Sequence, residues 1–383
     1  MSDMPSGMRY ATVPPLLRLY RGGWRGAALW TDQALPGLAL FALLLGVPMA
    51  LALGWCDEAF VSKLGRFCCF AIMAIGLDLV WGYTGILSLC QAMFFTIGGY
   101  AVGMYIAMQG PLLGNGIPEA LYVVSSEIGG MTLPAFWQPF GHLGFALLMV
   151  VLLPGLLAFI FGYFAFRSRI RGVYFSIITQ ALTIAMWLLF CRNDLQLCGT
   201  NGITPLKTFA GFDLTDPVVK IALYEVSALA LVGTVLLALW LTGTRFGRLL
   251  LAVRDSEMRL RFASYQPVWI KTAVFTLGAV LAGIAGALYT PQNGNINPAD
   301  MIAVKSILVV VWVAVGGRST VFGAVLGALG INLLYSYLTS VMPSTWPFVL
   351  GGIFVGVVLF MPTGVIGMWR RLIAKAQTVK AVP

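Results

Sequence analysis

The residues of this chain that are capable of chemistry are few and scattered. Within apolar runs lie one carboxylate, Asp78, and a set of uncharged hydrogen-bonding side chains: Thr84, Ser88, Gln91, Thr96, Gln180, Thr183 and Asn332. Gln91 and Gln180 each bring a donor and an acceptor to a setting that otherwise has neither. Such a set can hold a neutral polar molecule by hydrogen bonds or join helices to one another. Asp78 is either a functional carboxylate or a structural partner for a backbone or a neighbouring helix. Thr200 and Asn201 lie in a polar, glycine-flanked stretch, 192–202, suited to a gate or to a short hydrogen-bonded turn. His142, the single histidine, cannot make a metal site and stands at the edge of an apolar run. No metal site is expected. The six cysteines show no metal spacing; Cys68, Cys69 and Cys90 are read as small apolar residues, and pairing of Cys191 with Cys198 is left open. There is no G-x-x-x-x-G-K-[ST] phosphate loop, no H-E-x-x-H and no G-x-S-x-G. The chain is therefore not expected to be an enzyme, to hydrolyse ATP itself or to carry a cofactor.

The charged counterpart is the stretch RFGRLLLAVRDSEMRLRFASYQPVWIK at 245–271. Phe246, Leu249, Leu250 and Val253 fall at i, i+3, i+4 and i+7, one face of a helix. Asp255 or Ser256 can cap a second short helix, with Glu257 in its first turn. Pro267 stops it. Two short amphipathic helices between apolar runs form a socket for another protein or a basic loop on anionic lipid.

Membrane spans must position both groups. The chain is 59% hydrophobic and only 10% charged, far below the usual charge of a soluble domain. Its apolar blocks approach the length needed to cross a bilayer. Ten spans are predicted, at 36–54, 64–82, 86–108, 143–166, 172–191, 221–243, 268–290, 302–317, 319–341 and 346–367. The fold expected is an all-α polytopic membrane protein, and the parity of five spans per half permits two inverted halves. With ten spans, 18 of the 24 Lys and Arg fall on one side. This bias predicts cytoplasmic termini and argues that the net charge of +10 reports topology, not nucleic-acid binding. Residues 1–35 then form a basic cytoplasmic segment resting on membrane lipid, and 368–383 a basic cytoplasmic tail. Residues 81–85, between the second and third spans, contain two glycines and are predicted to be a non-helical break facing a cavity, since lipid does not tolerate unpaired backbone.

Several separated motifs resemble one family. GLDLVWGYTGILSL at 76–89, AVRDSE at 252–257 and GGRSTVFGAVLGA at 316–328 are similar to the permeases of branched-chain amino-acid-type ABC transporters, the LivM-like group. GVYFSIITQAL at 172–182, the 193–202 loop and PSTWPF at 343–348 resemble its urea-transporting UrtC-type branch. One departure is Cys90-Gln91 where the family commonly has Gly-His. The resemblance implies that 36–367 is a permease domain in a prokaryotic cytoplasmic (inner) membrane. It implies partners: a homologous second permease, two ABC ATPase subunits and a periplasmic solute-binding protein. It makes 245–267 the ATPase-coupling loop, with Arg254, Asp255, Glu257 and Arg259 at the contact. The solute path is expected along Thr84, Ser88, Gln91, Gln180, Asn201 and Asn332. The implied function is ATP-driven import of urea or a small amide; the alternatives are import of branched-chain or other amino acids, or an ion-coupled carrier or channel. The scarcity of charge within the spans favours a neutral solute.

Overall fold

A computed structural model of the protein describes residues 46, 58–111, 118–121, 136–170, 172–192, 197–345, 348–349, 351–352, 355–356 and 364–368. The span expected at 36–54, most of that at 346–367, the segment 1–35, nearly all of the tail and much of the first outer loop lie outside the described residues. The elements below belong to one unit, residues 47–383.

The described chain is helical. The helices are α1 (Glu58–Thr84), α2 (Gln91–Gln109), α3 (Leu143–Arg167), α4 (Val173–Phe190), α5 (Pro217–Gly243), the short pair α6 (Arg245–Asp255) and α7 (Glu257–Phe262), then α8 (Pro267–Asn293), α9 (Ala303–Gly316) and α10 (Val321–Val341). One two-stranded hairpin, Thr208–Phe209 with Phe212–Asp213, lies between α4 and α5. Among the described residues seven helices are long and apolar enough to cross a membrane. α9 has 14 residues, about 21 Å of helix and short of a hydrocarbon core of about 30 Å. Helix ends follow local chemistry: prolines occupy the first turn of α5 and α8, where no amide partner is lost. Gly294, at φ +70°, closes α8 in the left-handed region, its N–H donating to Thr290 O at 3.0 Å.

The centre of the bundle is α1, α2 and α8. α2 is buried along almost its whole length, whereas α3, α4 and α5 expose apolar faces such as Leu148, Leu156, Tyr174, Ile177 and Leu229. Glycines set the central spacing. A methyl on Gly286 would fall on the Phe95 carbonyl, and one on Gly98 on the Gly283 carbonyl, so α2 and α8 touch backbone to backbone. Gly76 and Gly278 do the same for α1 and α8, each carbonyl lying within 2.9 Å of the other's would-be methyl. Gly316, Gly323 and Gly327 join α9 to α10.

The sequence misplaces the break between the second and third spans. Helix α1 continues through Trp81, Gly82, Tyr83 and Thr84. The Thr84 hydroxyl donates to Val80 O at 2.6 Å and the Gly85 N–H to Trp81 O at 3.0 Å, so helical partners are complete up to that point. Gly85, at φ +76°, ends the helix, and the non-helical backbone is 85–90. α2 accordingly starts at Gln91, five residues later than expected.

Gly286→Ala is expected to force α2 from α8 and cost roughly 1–3 kcal/mol. Gly233→Ala, which meets nothing within 4 Å, should be neutral. Thermal unfolding of the two purified variants measures the difference, and equal midpoints would refute the close-packing account.

Candidate functional site

Three backbone groups of the break at 85–90, from Leu87 and Leu89, are engaged by one helix. On α4, Ser176, Thr179 and Thr183 recur at helical spacing and face it. Ser176 Oγ donates to Leu87 O at 2.9 Å, Leu89 N donates to Thr179 Oγ1 at 3.1 Å, and Thr183 Oγ1 donates to Leu89 O at 3.2 Å. Ser88 is buried with its Oγ 3.1 Å from Cys90 Sγ.

Asp78 is an anchor. Its Oδ1 accepts from Ser319 N at 2.8 Å, and Ser319 Oγ donates to Gly82 O at 2.6 Å. Arg254 Nη1 reaches the same knot, 2.9 Å from Gly82 O and 2.9 Å from Ser319 Oγ. The Arg318 guanidinium lies over the Trp81 ring at 4.5 Å. One carboxylate thus holds the tight turn between α9 and α10 against the end of α1, which is the structural alternative for Asp78.

At the opposite end of α1 a cavity of about 750 Å³ opens between α1, α2, α8, α9 and α10. Lys63, Arg66, Asp300 and Lys305 line it, together with Asn332 and the rings of Phe70, Phe95, Tyr289 and Trp312. The Phe70 ring lies 5.4 Å from that of Tyr289 and 5.3 Å from that of Trp312, giving a continuous aromatic wall. Asn332 is 6% exposed; its Nδ2 donates to Ala328 O at 2.7 Å, and no described group donates to its Oδ1. Burial holds the Asp300 carboxyl above its ordinary range, while Lys305, 3.8 Å away, and the Asn297 N–H pull it back. A compartment with cations at one part and rings at another can hold a carboxylate and an apolar group together.

The other expected path residues are dispersed. Thr84 lines a separate cavity of about 320 Å³ beside the 245–271 loop. Gln91 is 0% exposed, packs by Gly278, and neither of its amide atoms has a partner among the described residues. Gln180 is half-buried with its Oε1 likewise unengaged. Asn201 is exposed in a short 3-10 turn, 199–201. Asn332 alone of the six lines the larger cavity. Cys191 and Cys198 are not joined by a disulfide, and the Cys198 thiol donates to Ala120 O at 3.7 Å. His142 is exposed and immediately precedes α3, in keeping with an interfacial place.

The 245–271 loop folds as two helices. Leu250 and Val253 are buried on the face expected, and Ser256, not Asp255, caps α7, its Oγ accepting from Arg259 N at 3.4 Å. The four residues assigned to a partner contact divide. Arg254 turns into the Asp78 knot, and Glu257 pairs with Lys271 of α8, their side chains 14% and 8% exposed. Asp255 and Arg259 face outward, with Met258 (56%) and Phe262 (84%) beside them. Sequence reasoning missed Lys271, Arg66 and Lys305 because they sit inside apolar runs, and missed Lys63 and Asp300 because they stand just outside predicted spans.

Membrane-length helices packed backbone to backbone, opened by a charged and aromatic chamber and closed by an amphipathic loop, define a multi-pass membrane permease. The chain belongs to the family described as branched-chain amino acid transport system / permease component, whose model matches residues 59–360. It is 25% identical over 355 residues to the high-affinity branched-chain amino acid transport system permease protein LivM of Escherichia coli K12, covering 87% of this chain and 75% of that one. It is 24% identical over 315 residues to LivH of the same transport system in that strain, covering 78% and 91%. A shorter match, 30% over 129 residues, covers 32% of this chain and 37% of the autoinducer 2 import system permease protein LsrC of Yersinia pseudotuberculosis. No solved structure matches. The relatives are transport permeases, not enzymes.

Thr179→Val leaves the Leu89 N–H unpaired and is expected to cost about 1–3 kcal/mol, while Thr179→Ser should be nearly neutral. Thermal unfolding in detergent reads the difference; a valine variant as stable as the serine one would sink the assignment.

Proposed function

We propose that this chain is the permease subunit of an ATP-driven importer for amino acids with apolar side chains, working in the prokaryotic inner membrane. The observation that carries this is the chamber: Lys63, Arg66 and Lys305 suit a carboxylate, Asp300 an ammonium, and the Phe70, Tyr289 and Trp312 wall an apolar side chain. The naming of the LivM and LivH relatives as branched-chain amino acid permeases supports the same solute class. Weak, separated contacts suit conduction better than one tight site, which would trap the solute. The partners in this proposal are a homologous second permease, two ATPase subunits and a periplasmic solute-binding protein, with both termini cytoplasmic as the arginine distribution favours. The ATPase would meet the outward surface of α7, through Asp255, Met258, Arg259 and Phe262. Arg254 and Glu257 would act behind that surface.

A second reading, import of urea or a related small amide, is favoured by one observation. Gln91 presents a donor and an acceptor that no described group engages, at the buried start of α2, and urea needs only such neutral partners.

Uptake in vesicles reconstituted with the partner subunits decides between them. ATP-driven, saturable leucine uptake is expected, without competition by urea. Arg66→Gln should lower it about tenfold, the equivalent of roughly 1.4 kcal/mol. Urea uptake without leucine uptake would overturn the amino-acid assignment and leave the second reading.

A further inference from the structure

Two polar contacts fasten the exposed α6–α7 loop to the membrane helices, and both lead to the same place. The first is the pair between Glu257, the opening residue of α7, and Lys271, early in α8. The Lys271 ammonium also lies 5.8 Å from the centre of the Phe166 ring of α3. Phe166 in turn stacks on Phe175 of α4, centroids 4.9 Å apart. The residue after Phe175 is Ser176, whose hydroxyl holds Leu87 of the backbone break. The second contact is Arg254 on Gly82 O and Ser319 Oγ, with its Cγ 3.2 Å from where a methyl on Gly85 would stand. Between the two contacts lies the cavity of about 320 Å³, lined by Thr84, Ile86, Arg254, Glu257 and Lys271 among others.

We infer that Lys271 and Glu257, together with Arg254, are positioning residues that set the conformation of the 85–90 break according to the position of the loop. The inference rests on the reading of that loop as the ATPase contact. A nearly buried charge pair at the root of α8 ties α7 to it more firmly than an exposed ion pair would, because water screens it little and separation costs both charges their close partner. A rigid displacement of α7 is therefore passed to α8 and, through Phe166 and Phe175, to the helix that satisfies the break. Arg254 passes the same displacement to the end of α1. The break, joined to its neighbours by single hydrogen bonds and not by a helical ladder, is the element able to respond.

The test uses the assembled transporter in lipid nanodiscs, with Ile86→Cys placed in a chain whose six native cysteines are replaced. Modification by a water-soluble thiol reagent is timed without nucleotide and with ATP, Mg²⁺ and vanadate. A change of about fivefold is expected, the lower end for coupled sites. Glu257→Gln and Lys271→Met should abolish that change while ATP hydrolysis continues, and the exchange Glu257→Lys with Lys271→Glu should restore part of it. A merely structural pair would leave the nucleotide response intact in whatever protein assembles. If the single variants fail to assemble, Phe166→Leu carries the test, since it keeps both charges and should still weaken the response. An undiminished response in Glu257→Gln or Phe166→Leu, or none in the unsubstituted complex, overturns the inference. Absence of ATPase subunits from the purified complex would overturn the proposed function itself, and the inference with it.

Discussion

A backbone that leaves its helix at membrane depth must find hydrogen-bond partners in the protein, because hydrocarbon supplies none. At 85–90 three hydroxyls of α4 engage the backbone of Leu87 and Leu89, and much of the architecture follows from this. Much of the α4 surface is left unpacked: Val173, Tyr174, Ile177, Ile184 and Leu188 are all exposed, while Phe175 is buried and stacks on Phe166 of α3. What fixes its register are Ser176, Thr179 and Thr183, three and four residues apart and so on one side of the helix. Each of the two threonines also donates to its own helix, Thr179 to Ser176 O and Thr183 to Thr179 O, both at 2.9 Å. The hydroxyls therefore have partners within α4 as well as across the gap, and the break depends on α4 more than α4 depends on the break.

The same demand explains why a carboxylate is tolerated inside α1. The turn between α9 and α10 is only four residues, 317–320, and Ser319 sits in it at φ +61°. Its N–H cannot join either helix, and Asp78 accepts it. Glycines make the approach feasible, since any side chain at Gly82 would collide with the Asp78 carboxylate. Close glycine contacts and buried polar bonds are thus two halves of one design. The central helices α1, α2 and α8 are fixed backbone to backbone, and the periphery is hung on them by hydrogen bonds.

The spans were legible because apolar length is a direct physical requirement of the bilayer, and seven of the expected ones recur in place within a few residues. The loop helices were legible because Phe246, Leu249, Leu250 and Val253 carry a helical period. The break was not, because Gly82 and Gly85 look alike in sequence: only the Gly85 backbone, at φ +76°, uses the glycine as a turn. Gly82 is small so that Asp78 and Ser319 can reach each other. The pairing of Glu257 with Lys271 was hidden for a related reason. An acid in an exposed basic helix reads as a surface charge, and its partner lies fourteen positions away behind a proline, at a distance no helical period connects. The chamber escaped because its charges come from three separate helix ends.

Those charges are themselves informative. The positive-inside rule thins Lys and Arg from the non-cytoplasmic face, and only six of the 24 were assigned to the side away from the α6–α7 loop. Three of the six, Lys63, Arg66 and Lys305, line one cavity, and Arg66 is braced by a 3.0 Å bond to Asn293 Oδ1. Residues set against the topological bias and gathered at one mouth are not there to orient the chain. Asp300 beside them, 3.8 Å from Lys305, sets a carboxyl among the cations, so the cluster is not a plain anion sink. Under the proposed function, a mixed-sign rim above an aromatic wall would discriminate by shape and charge together. This is why the scarcity of charge within the spans, which pointed to a neutral solute, is a weaker guide than the charge at their ends.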